Sequence, residues 1–369
     1  MNAHRELYAG VMSGTSLDGV DAVLADFAAG SGAVVAATHI GFPLALRDEL
    51  LALQESGPDE IVRAARAANA LADLYAHALR TVCGTAGVDA QDVAAAGVHG
   101  QTVRHRPHEG WTLQINNPAR VAEHAAMTVV ADFRSRDIAA GGQGAPLVPA
   151  FHAAMFARPG QHCVIANLGG IANITDLPPH GAVRGFDTGP ANVLLDLWHA
   201  RTRGGSFDAD GAHAASGRVD DALLAALLAE RYFVARPPKS TGRDLFNGAW
   251  LDRALSAVQW QGRDEDVQAT LAALTARTLA DAVRRECAGA QTLVVCGGGA
   301  RNADLMRRIA AELPGMQVTT SDAVGIASDH VEALAFAWLA REALAGRAGN
   351  LPAVTGASGL RVLGAIYKR

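Results

Sequence analysis

Two glycine-rich turns, each between two apolar segments of strand length, occur about half a chain apart in the 369-residue sequence. The first joins residues 7–12 to residues 20–27, and the second joins residues 163–167 to residues 172–177. Short apolar runs bounded by glycine predict buried strands. The two halves share this layout rather than residue identity. The repeated strand–turn–strand opening predicts two related α/β domains that face a cleft.

Segments of helical length separate the predicted strands. Further strands are predicted at residues 93–98, 128–132, 183–186 and 292–296, and helices at 43–53, 59–83, 191–201, 220–230, 264–287, 302–313 and 331–344. We place the domain boundary near residue 132, which gives an N-terminal domain of residues 1–131 and a C-terminal domain of residues 132–351. The last segment, 352–369, can pack back on either domain, and we group it with the N-terminal one.

The bulk composition argues against several classes of protein. A formal net charge of −5 is unlike that of a nucleic-acid-binding protein, which usually presents a dense basic face. No apolar run approaches the roughly 20 residues of a membrane helix, and the first residues show no signal-peptide pattern. The four cysteines are widely spaced, as expected of reduced thiols. We therefore expect a soluble, cytoplasmic protein that binds neither nucleic acid nor membranes.

The glycine turns are candidate phosphate sites. Neither of the two lysines follows a glycine, which excludes a Walker-type loop, and protein-kinase signatures are absent. In Gly14-Thr15-Ser16-Leu17-Asp18-Gly19, backbone N–H groups and two hydroxyls are able to approach an anion. Gly169-Gly170 forms a second such turn, and Gly297-Gly298-Gly299 a third that opens a helix. Each is equally explained as a tight turn, but the three together favour an actin-like or hexokinase-like nucleotide cleft.

Asp187 is the candidate general base. It follows a predicted strand, and open α/β sheets bind ligands beyond the carboxyl ends of their strands. An aspartate at this place also suits the N-cap of the helix that begins near Pro190, and position alone does not separate the two roles. Asp18 and Asp21 are candidates to orient Mg²⁺ or its waters. The alternative is a purely structural role, for Asp18 as a turn residue and for Asp21 as a residue at the edge of a strand.

Two further charged residues are candidates for the chemistry, and the first of them, in a glycine-rich loop, is a candidate sugar contact. Arg134 lies with Arg136 and Asp137 in a glycine-rich loop that suits a carboxylate or hydroxyl groups, although a solvated surface loop fits nearly as well. Glu332 begins a helix, where a negative charge also stabilises the helix itself. His99, after a buried strand, is interpreted as a structural residue. The 13 histidines show no spacing typical of a metal site.

Nine short motifs run along the chain. In order they are GVMSGTSLDGVD (10–21), HGQT (99–102), DFR (132–134), GGQGAPLVP (141–149), NLGGIAN (167–173), GFDTGP (185–190), PPKSTGR (237–243), CGGGARN (296–302) and EALAF (332–336). This series resembles the anhydro-N-acetylmuramic acid kinase family in content and in order. The resemblance covers almost the whole chain, and strings of this length rarely match by accident.

The resemblance implies a fold similar to that of hexokinases, actin and Hsp70 ATPase domains: two actin-like, ribonuclease H-like domains with an interdomain cleft. Members of the family convert 1,6-anhydro-N-acetylmuramic acid, ATP and water to N-acetylmuramic acid 6-phosphate and ADP. They act in peptidoglycan recycling, generally as homodimers with Mg²⁺. The resemblance therefore implies an ATP-dependent sugar phosphotransferase.

Carried onto this sequence, the resemblance gives Asp187 the catalytic role. The implied nucleotide contacts are Gly14, Thr15, Ser16, Leu17, Asp18, Gly19, Val20, Asp21, Asn167, Gly169, Gly170, Gly297, Gly298, Gly299 and Asn302, and the implied substrate contacts are Arg134, Glu332, Gln101 and Thr102. The Mg²⁺ ligands are not specified. Two alternatives stay open: an amino-sugar kinase of the same fold that phosphorylates a free hydroxyl, and a nucleotide-gated chaperone, filament protein or sugar sensor.

Overall fold

The computed structural model describes residues 5–14, 17–30 and 32–369. They divide into two units, each with its own core. Unit 1 comprises the described residues up to Met155 together with His330–Arg369, and unit 2 comprises Phe156–Asp329. These bounds differ from the predicted boundary near residue 132, because residues 132–155 and 330–351 belong to unit 1.

Each unit combines strands with helices. The strands are β1 (Leu7–Met12), β2 (Gly19–Asp26), β3 (Ala33–Gly41), β4 (Ala95–Val98), β5 (Gln101–Arg106), β6 (Trp111–Ile115), β7 (Val129–Ala131), β8 (Cys163–Leu168), β9 (Ile171–Leu177), β10 (Arg184–Pro190), β11 (Thr292–Cys296), β12 (Gln317–Thr320) and β13 (Ala365–Tyr367). The α-helices are α1 (Leu44–Ala52), α2 (Glu60–Ala86), α3 (Pro118–Ala125), α4 (Ser135–Ala139), α5 (Val148–Phe156), α6 (Asn192–Arg203), α7 (Ala212–Ser216), α8 (Asp221–Leu228), α9 (Gly248–Ala257), α10 (Asp264–Glu286), α11 (Ala303–Glu312), α12 (Val331–Leu344) and α13 (Pro352–Thr355). Among the described residues, none of these helices is both long and apolar enough to cross a membrane.

Unit 1 is built on a six-stranded sheet in the order β13-β7-β4-β1-β2-β3. The strands β1, β2 and β3 form an antiparallel meander, whereas β4 and β7 continue the sheet parallel to β1. A return to a parallel neighbour requires a crossover connection, and α1 and α2 supply it between β3 and β4. At the far edge β13 pairs antiparallel with β7, so the chain after residue 352 ends in unit 1.

Unit 2 repeats this plan in a five-stranded sheet with the order β10-β9-β8-β11-β12. Here β8, β9 and β10 form the antiparallel meander, and β11 and β12 run parallel to β8. Read from the meander edge, the first five strands of unit 1 have the same order and directions. This is the ribonuclease H-like arrangement, and the predicted pair of related α/β domains is confirmed.

Helix α12 packs directly on the centre of the unit 1 sheet. Gly10 of β1 and Gly97 of β4 face the helix, and a Cβ atom at either position would overlap a helix carbonyl oxygen, that of Ala333 or Phe336. Glycine is needed at both positions because the backbones of helix and strand approach with no side chain between them. This contact explains why residues 331–344 belong to unit 1 although unit 2 precedes them in the chain.

The structure changes the boundaries of two predicted segments near the candidate site. Strand β10 continues through Pro190, and α6 begins at Asn192, so Pro190 ends a strand and does not start the helix as predicted. The predicted loop of residues 134–144 contains the short helix α4. The predicted hairpin of β8 and β9 is confirmed by their antiparallel pairing.

Gly97→Ala should lower the free energy of unfolding by at least about 2 kcal/mol, because its methyl group meets the backbone of α12 and overpacks the core. Urea unfolding of the purified protein measures the change. Gly84→Ala is the matched control: Gly84 lies within α2 with no atom within 4 Å of an added Cβ, so alanine there should stabilise by about 0.5–1 kcal/mol. Equal effects of the two substitutions would contradict the packing of α12.

Candidate active site

Asp187 lies on the edge strand β10, where the pairing with β9 is irregular between Asp187 and Gly189. It therefore lies inside its strand, not beyond the carboxyl end as predicted. Its half-buried carboxylate accepts a hydrogen bond of 2.9 Å from the backbone N–H of Thr241 at Oδ2. The other carboxylate oxygen has no hydrogen-bond partner among the described residues, so it is available to accept a proton.

The environment of Asp187 suits a general base. Burial raises the pKa of its carboxyl group to about 6, against the Thr241 N–H bond and the charge of Lys239, which both lower it. A carboxylate with this pKa is ionised at neutral pH and still basic enough to take a proton. The alternative N-cap role is excluded, because Ala191 is the N-cap of α6 and no side chain caps that helix.

Three neighbours of Asp187 were not selected from the sequence. The hydroxyl of Tyr232 donates to the backbone carbonyl oxygen of Asp187 at 2.8 Å, and the backbone N–H of Asp187 donates to the carbonyl oxygen of Lys239 at 3.2 Å. Thr241 supplies the N–H bond to the carboxylate. One signal could have identified Lys239: it is one of only two lysines in the chain, and it lies in the motif PPKSTGR.

The turn at Gly169-Gly170 presents free backbone donors. Its carbonyl oxygens accept hydrogen bonds from the first amides of α6 and its N-cap, at 2.9–3.0 Å. The N–H groups of Gly169 and Gly170 themselves have no acceptor among the described residues. An added Cβ would meet no atom nearer than 3.7 Å at Gly169 or 3.8 Å at Gly170, so packing does not require glycine. Unpaired N–H groups without a Cβ suit the close approach of an anion.

The third glycine run has a mixed role. Gly297 has a φ of +79°, and a Cβ there would overlap the side-chain oxygen of Asn167. A Cβ at Gly299 would lie 2.5 Å from the Cβ of Leu168. These two glycines therefore let the run pack against the end of β8. Gly298 is exposed and would tolerate a Cβ, since the nearest atom is 3.8 Å away.

The two predicted asparagine contacts also have structural roles. Asn302 is the N-cap of α11, and its side-chain oxygen accepts a hydrogen bond of 2.9 Å from the N–H of Leu305. Asn167 stands at the end of β8, opposite Cys296 of β11. It thus lies where the second and third glycine segments meet. A nucleotide contact by either asparagine stays a prediction.

The first glycine turn joins β1 to β2. Its central residues Thr15 and Ser16, both predicted nucleotide contacts, lie outside the described residues. The carbonyl oxygen of Gly14 accepts a hydrogen bond of 3.2 Å from the N–H of Leu17, which closes the turn. Leu17 has a φ of +59°, an uncommon value for a leucine, and its side chain is buried.

The residues after this turn enter β2. The side chain of Val20 is fully buried in the core of unit 1. A Cβ at Gly19 would overlap the carbonyl oxygen of Ile40, so β3 requires this glycine. Asp18 is exposed, whereas half-exposed Asp21 has one carboxylate oxygen 2.7 Å from a ring nitrogen of a histidine on β3. The two carboxylates are the groups of this segment that face solvent.

Gln101 and Thr102 differ in accessibility, although both are predicted substrate contacts. Gln101 is fully buried, and its side-chain amide donates to the carbonyl oxygen of Gly14 at 3.1 Å. It therefore supports the first glycine turn from within unit 1. Thr102 is half-buried on β5, and its hydroxyl accepts a hydrogen bond of 3.2 Å from Gln114.

Arg134 is held by His99. Its Nε and Nη2 atoms lie 3.1 and 2.9 Å from Nε2 of His99, and Nη1 donates to the carbonyl oxygen of Gly144 at 2.7 Å. Burial, and then the charge of Arg134, lower the pKa of His99 far below its usual value. His99 is therefore neutral and able to accept these bonds at Nε2. The structural role of His99 is therefore to orient Arg134. The sequence predicted a structural histidine but not its partner.

Glu332, in the first turn of α12, lies within the electrostatic range of Arg134 and Asp21. Burial and the charge of Asp21 raise the pKa of Glu332, whereas Arg134 lowers it. Burial lowers the pKa of Arg134 to about 10, opposed by the charges of Glu332 and Asp137. Arg134 and Glu332 form no ion pair in the described part of the chain, which leaves donors on one and acceptors on the other for a polar ligand.

The two repeated sheets define the class of this protein as a two-unit, actin-like α/β fold. Component A of (R)-2-hydroxyglutaryl-CoA dehydratase from Acidaminococcus fermentans shares this fold, with a TM-score of 0.50 and 12% sequence identity over 90% of this chain and 96% of that chain.

Sequence comparison defines the family. The family model for anhydro-N-acetylmuramic acid kinase matches residues 6–369. Proteins of that name from Thiobacillus denitrificans and Cupriavidus pinatubonensis are 57% and 56% identical to this chain. The first alignment covers 98% of this chain and 97% of the relative, and the second covers 100% of both. The chain belongs to the anhydro-N-acetylmuramic acid kinase family.

Asp187→Asn should stabilise the fold at pH 8 by up to about 3 kcal/mol, because the raised pKa of Asp187 makes its ionised form unfavourable in the folded state. In the wild type the protonated carboxyl group of Asp187 stabilises the folded state below about pH 4, and this contribution is lost as the pH rises through about 6. The stability advantage of Asp187→Asn should therefore vanish below about pH 4. Urea unfolding from pH 4 to 8 measures it. Asp221→Asn, at an exposed position, serves as the control. An Asp187→Asn protein that is less stable than the wild type at every pH would contradict the burial of the charge.

Proposed function

We propose that this chain is an ATP-dependent kinase that converts 1,6-anhydro-N-acetylmuramic acid, ATP and water to N-acetylmuramic acid 6-phosphate and ADP. The match of the family model to residues 6–369 and the full-length relatives of that name support the proposal. The family resemblance connects this reaction to the recycling of peptidoglycan.

The observation that supports this chemistry is the partly buried carboxylate of Asp187, which has one oxygen without a hydrogen-bond partner among the described residues and a pKa raised to about 6. Water attacks the anomeric carbon, the bond from that carbon to O6 breaks, and the proton of the water passes to the free carboxylate oxygen of Asp187. A positioned general base typically contributes about 10²–10⁴-fold. The released O6 attacks the γ-phosphorus of ATP, and the bond to the leaving ADP breaks. The sugar thereby gains the hydroxyl group of the water and one phosphoryl group, and the proton on Asp187 is then released to solvent.

Groups in both units suit the two substrates. The free N–H groups of Gly169 and Gly170 are donors for phosphate oxygens, so we assign them to ATP. The sugar carries a carboxylate and hydroxyl groups. The guanidinium of Arg134 suits the carboxylate, and the carboxylate of Glu332 suits a hydroxyl. In this assignment Gln101 acts indirectly, because its bond to the Gly14 carbonyl supports the first phosphate turn.

Mg²⁺ is the metal that we propose for this reaction. The described residues contain no group of three or more His, Cys, Asp or Glu side chains that could hold a metal ion alone. Magnesium in kinases takes one or two carboxylates together with water and phosphate oxygens, so such a group is not needed. The solvent-facing carboxylates of Asp18 and Asp21 fit this donor set. When bound, Mg²⁺ neutralises negative charge on the transferring phosphoryl group.

The family resemblance also supports a homodimer in the cytoplasm. We infer that two copies associate, which light scattering of the purified protein tests. A mass close to that of one 38.2-kDa chain would oppose it. Apart from its own second copy, the partners that we propose are the two small-molecule substrates.

The proposed function predicts that 1,6-anhydro-N-acetylmuramic acid stimulates ADP release in the presence of Mg²⁺, and that N-acetylmuramic acid and N-acetylglucosamine do not. A coupled assay for ADP measures this directly. Equal stimulation by N-acetylglucosamine would favour a plain amino-sugar kinase. Binding of ATP without any sugar-dependent ADP release would favour a nucleotide-gated binding protein.

A reaction in oxygen-18 water distinguishes ring opening from simple phosphoryl transfer. The proposed mechanism places the label on the anomeric hydroxyl early in turnover, before exchange by mutarotation. Mass spectrometry of the quenched product detects it. Unlabelled product at early times would exclude attack by water on the anomeric carbon.

Asp187→Asn should lower kcat at least about 10²-fold and leave the binding of both substrates near normal, because asparagine keeps an acceptor for the Thr241 N–H but takes no proton. Steady-state kinetics and calorimetric binding measure the two parts. Asp221→Asn, on an exposed helix position, should keep wild-type activity. Near-normal turnover of the Asp187 variant would remove this residue from the role of base.

A further inference from the structure

Lys239 is half-buried in unit 2 and is held in an unusual way for a lysine. Its ammonium nitrogen lies 4.4 Å from the centre of the Tyr232 ring, where a cation is attracted to the aromatic face. The nitrogen donates to the carbonyl oxygen of Tyr232 at 3.0 Å and to that of Phe233 at 3.5 Å. Lysine usually extends its charge into water, whereas this side chain turns back onto the short 3₁₀ helix Arg231–Val234.

The segments that Lys239 connects are those that hold Asp187. Residues 239–241 supply a carbonyl acceptor for the backbone N–H of Asp187 and an N–H donor for its carboxylate. The 3₁₀ helix supplies the Tyr232 hydroxyl, which donates to the carbonyl oxygen of Asp187. The side chain of Lys239 closes this ring of contacts, because it joins one segment to the other.

We propose that Lys239 positions Asp187, both by tying these two segments together and by holding a positive charge within electrostatic range of its carboxylate. The proposal rests on the proposed function, in which Asp187 is the base. Lys239 and Asp187 form no direct ion pair in the described structure, so the charge acts through space. Lys239 is therefore a positioning residue and not a catalytic one.

Burial and three charged groups set the charge of Lys239. Burial, and then the positive charge of Arg285, lower its pKa to about 8, whereas Glu286 and Asp187 act in the opposite direction. Arg285 also donates to the Phe233 carbonyl oxygen, at 3.2 Å, and so shares an acceptor with Lys239. Between about pH 6 and about pH 8 the pair therefore consists of an ionised Asp187 and a charged Lys239. Activity that needs both states follows a bell-shaped pH profile.

Charge-altering and charge-keeping variants separate this role from a purely structural one. Lys239→Met removes the charge, so the acid limb of kcat/KM should move to higher pH, with a loss of at least about tenfold at pH 7 that partly recovers at higher pH. Lys239→Arg keeps a charge at all these pH values, so its alkaline limb near pH 8 should disappear. Lys368→Met, at an exposed position, is the matched control. A loss of equal size at every pH in both variants would overturn the proposal.

A second measurement is independent of the reaction. Because the chain has two lysines, protein grown with [ε-¹³C]lysine gives two lysine signals in carbon NMR. One should titrate near pH 8 and be missing in Lys239→Arg. In protein with ¹³C-labelled aspartate carboxyls, the signal missing in Asp187→Asn identifies Asp187. The pKa of that signal should rise in Lys239→Met.

The titrations decide the proposal without substrate. A Lys239 signal that titrates near the usual lysine value of about 10.4 would overturn it, and so would an Asp187 titration that is the same in the wild type and in Lys239→Met. Failure of the sugar to stimulate ADP release would instead count against the proposed function alone. If thermal unfolding shows that Lys239→Met is not folded, the alkaline limb of Lys239→Arg decides the matter.

Discussion

The contact of helix α12 with the bare backbone of β1 and β4 is the constraint on which unit 1 depends. At Gly10 and Gly97 the strands carry no side chain, so the helix settles at a distance that any other residue would increase. The close approach of α12 to the sheet also determines the position of Glu332. This residue lies in the first turn of the helix and is thereby brought within the electrostatic range of Arg134 and Asp21. The packing of α12 on β1 and β4 thus also positions the carboxylate of Glu332.

Each unit contains charged candidate residues that are taken partly out of water. Burial acts on Asp187, Lys239 and Arg134 in the direction that disfavours the charged form of each. Each is compensated by a specific neighbour: the Thr241 N–H, the Tyr232 ring, or the neutral His99. Burial of these charges lowers the stability of the fold. It also brings the pKa values of Asp187 and Lys239 closer to neutral pH.

The sequence predicted elements whose signal is local. The strand β1, the strand β11 and the helix α12 have the predicted bounds, because each is a short apolar run between turn residues or a long apolar helix. The edge strand β3 was not predicted, although it begins with the apolar residues 33–37, and only one of its nine residues is buried. Contacts between distant residues were also beyond reach: Thr241 binds Asp187 from 54 residues away, and His99 binds Arg134 from 35 residues away. The unit bounds were missed for the same reason, because only a tertiary contact joins α12 to β1.

Unit 1 consists of two separate stretches of chain, with β1 and β4 in the first and α12 and β13 in the second. During synthesis the central strands of this unit have no helix over Gly10 and Gly97 until residues 331–344 have emerged. Unit 2, by contrast, is continuous and has all its strands and helices by residue 329. Domains generally fold as units while the chain grows. The second unit in the sequence is therefore the first whose residues are all present to complete a core, whereas unit 1 has to wait for its second stretch of chain.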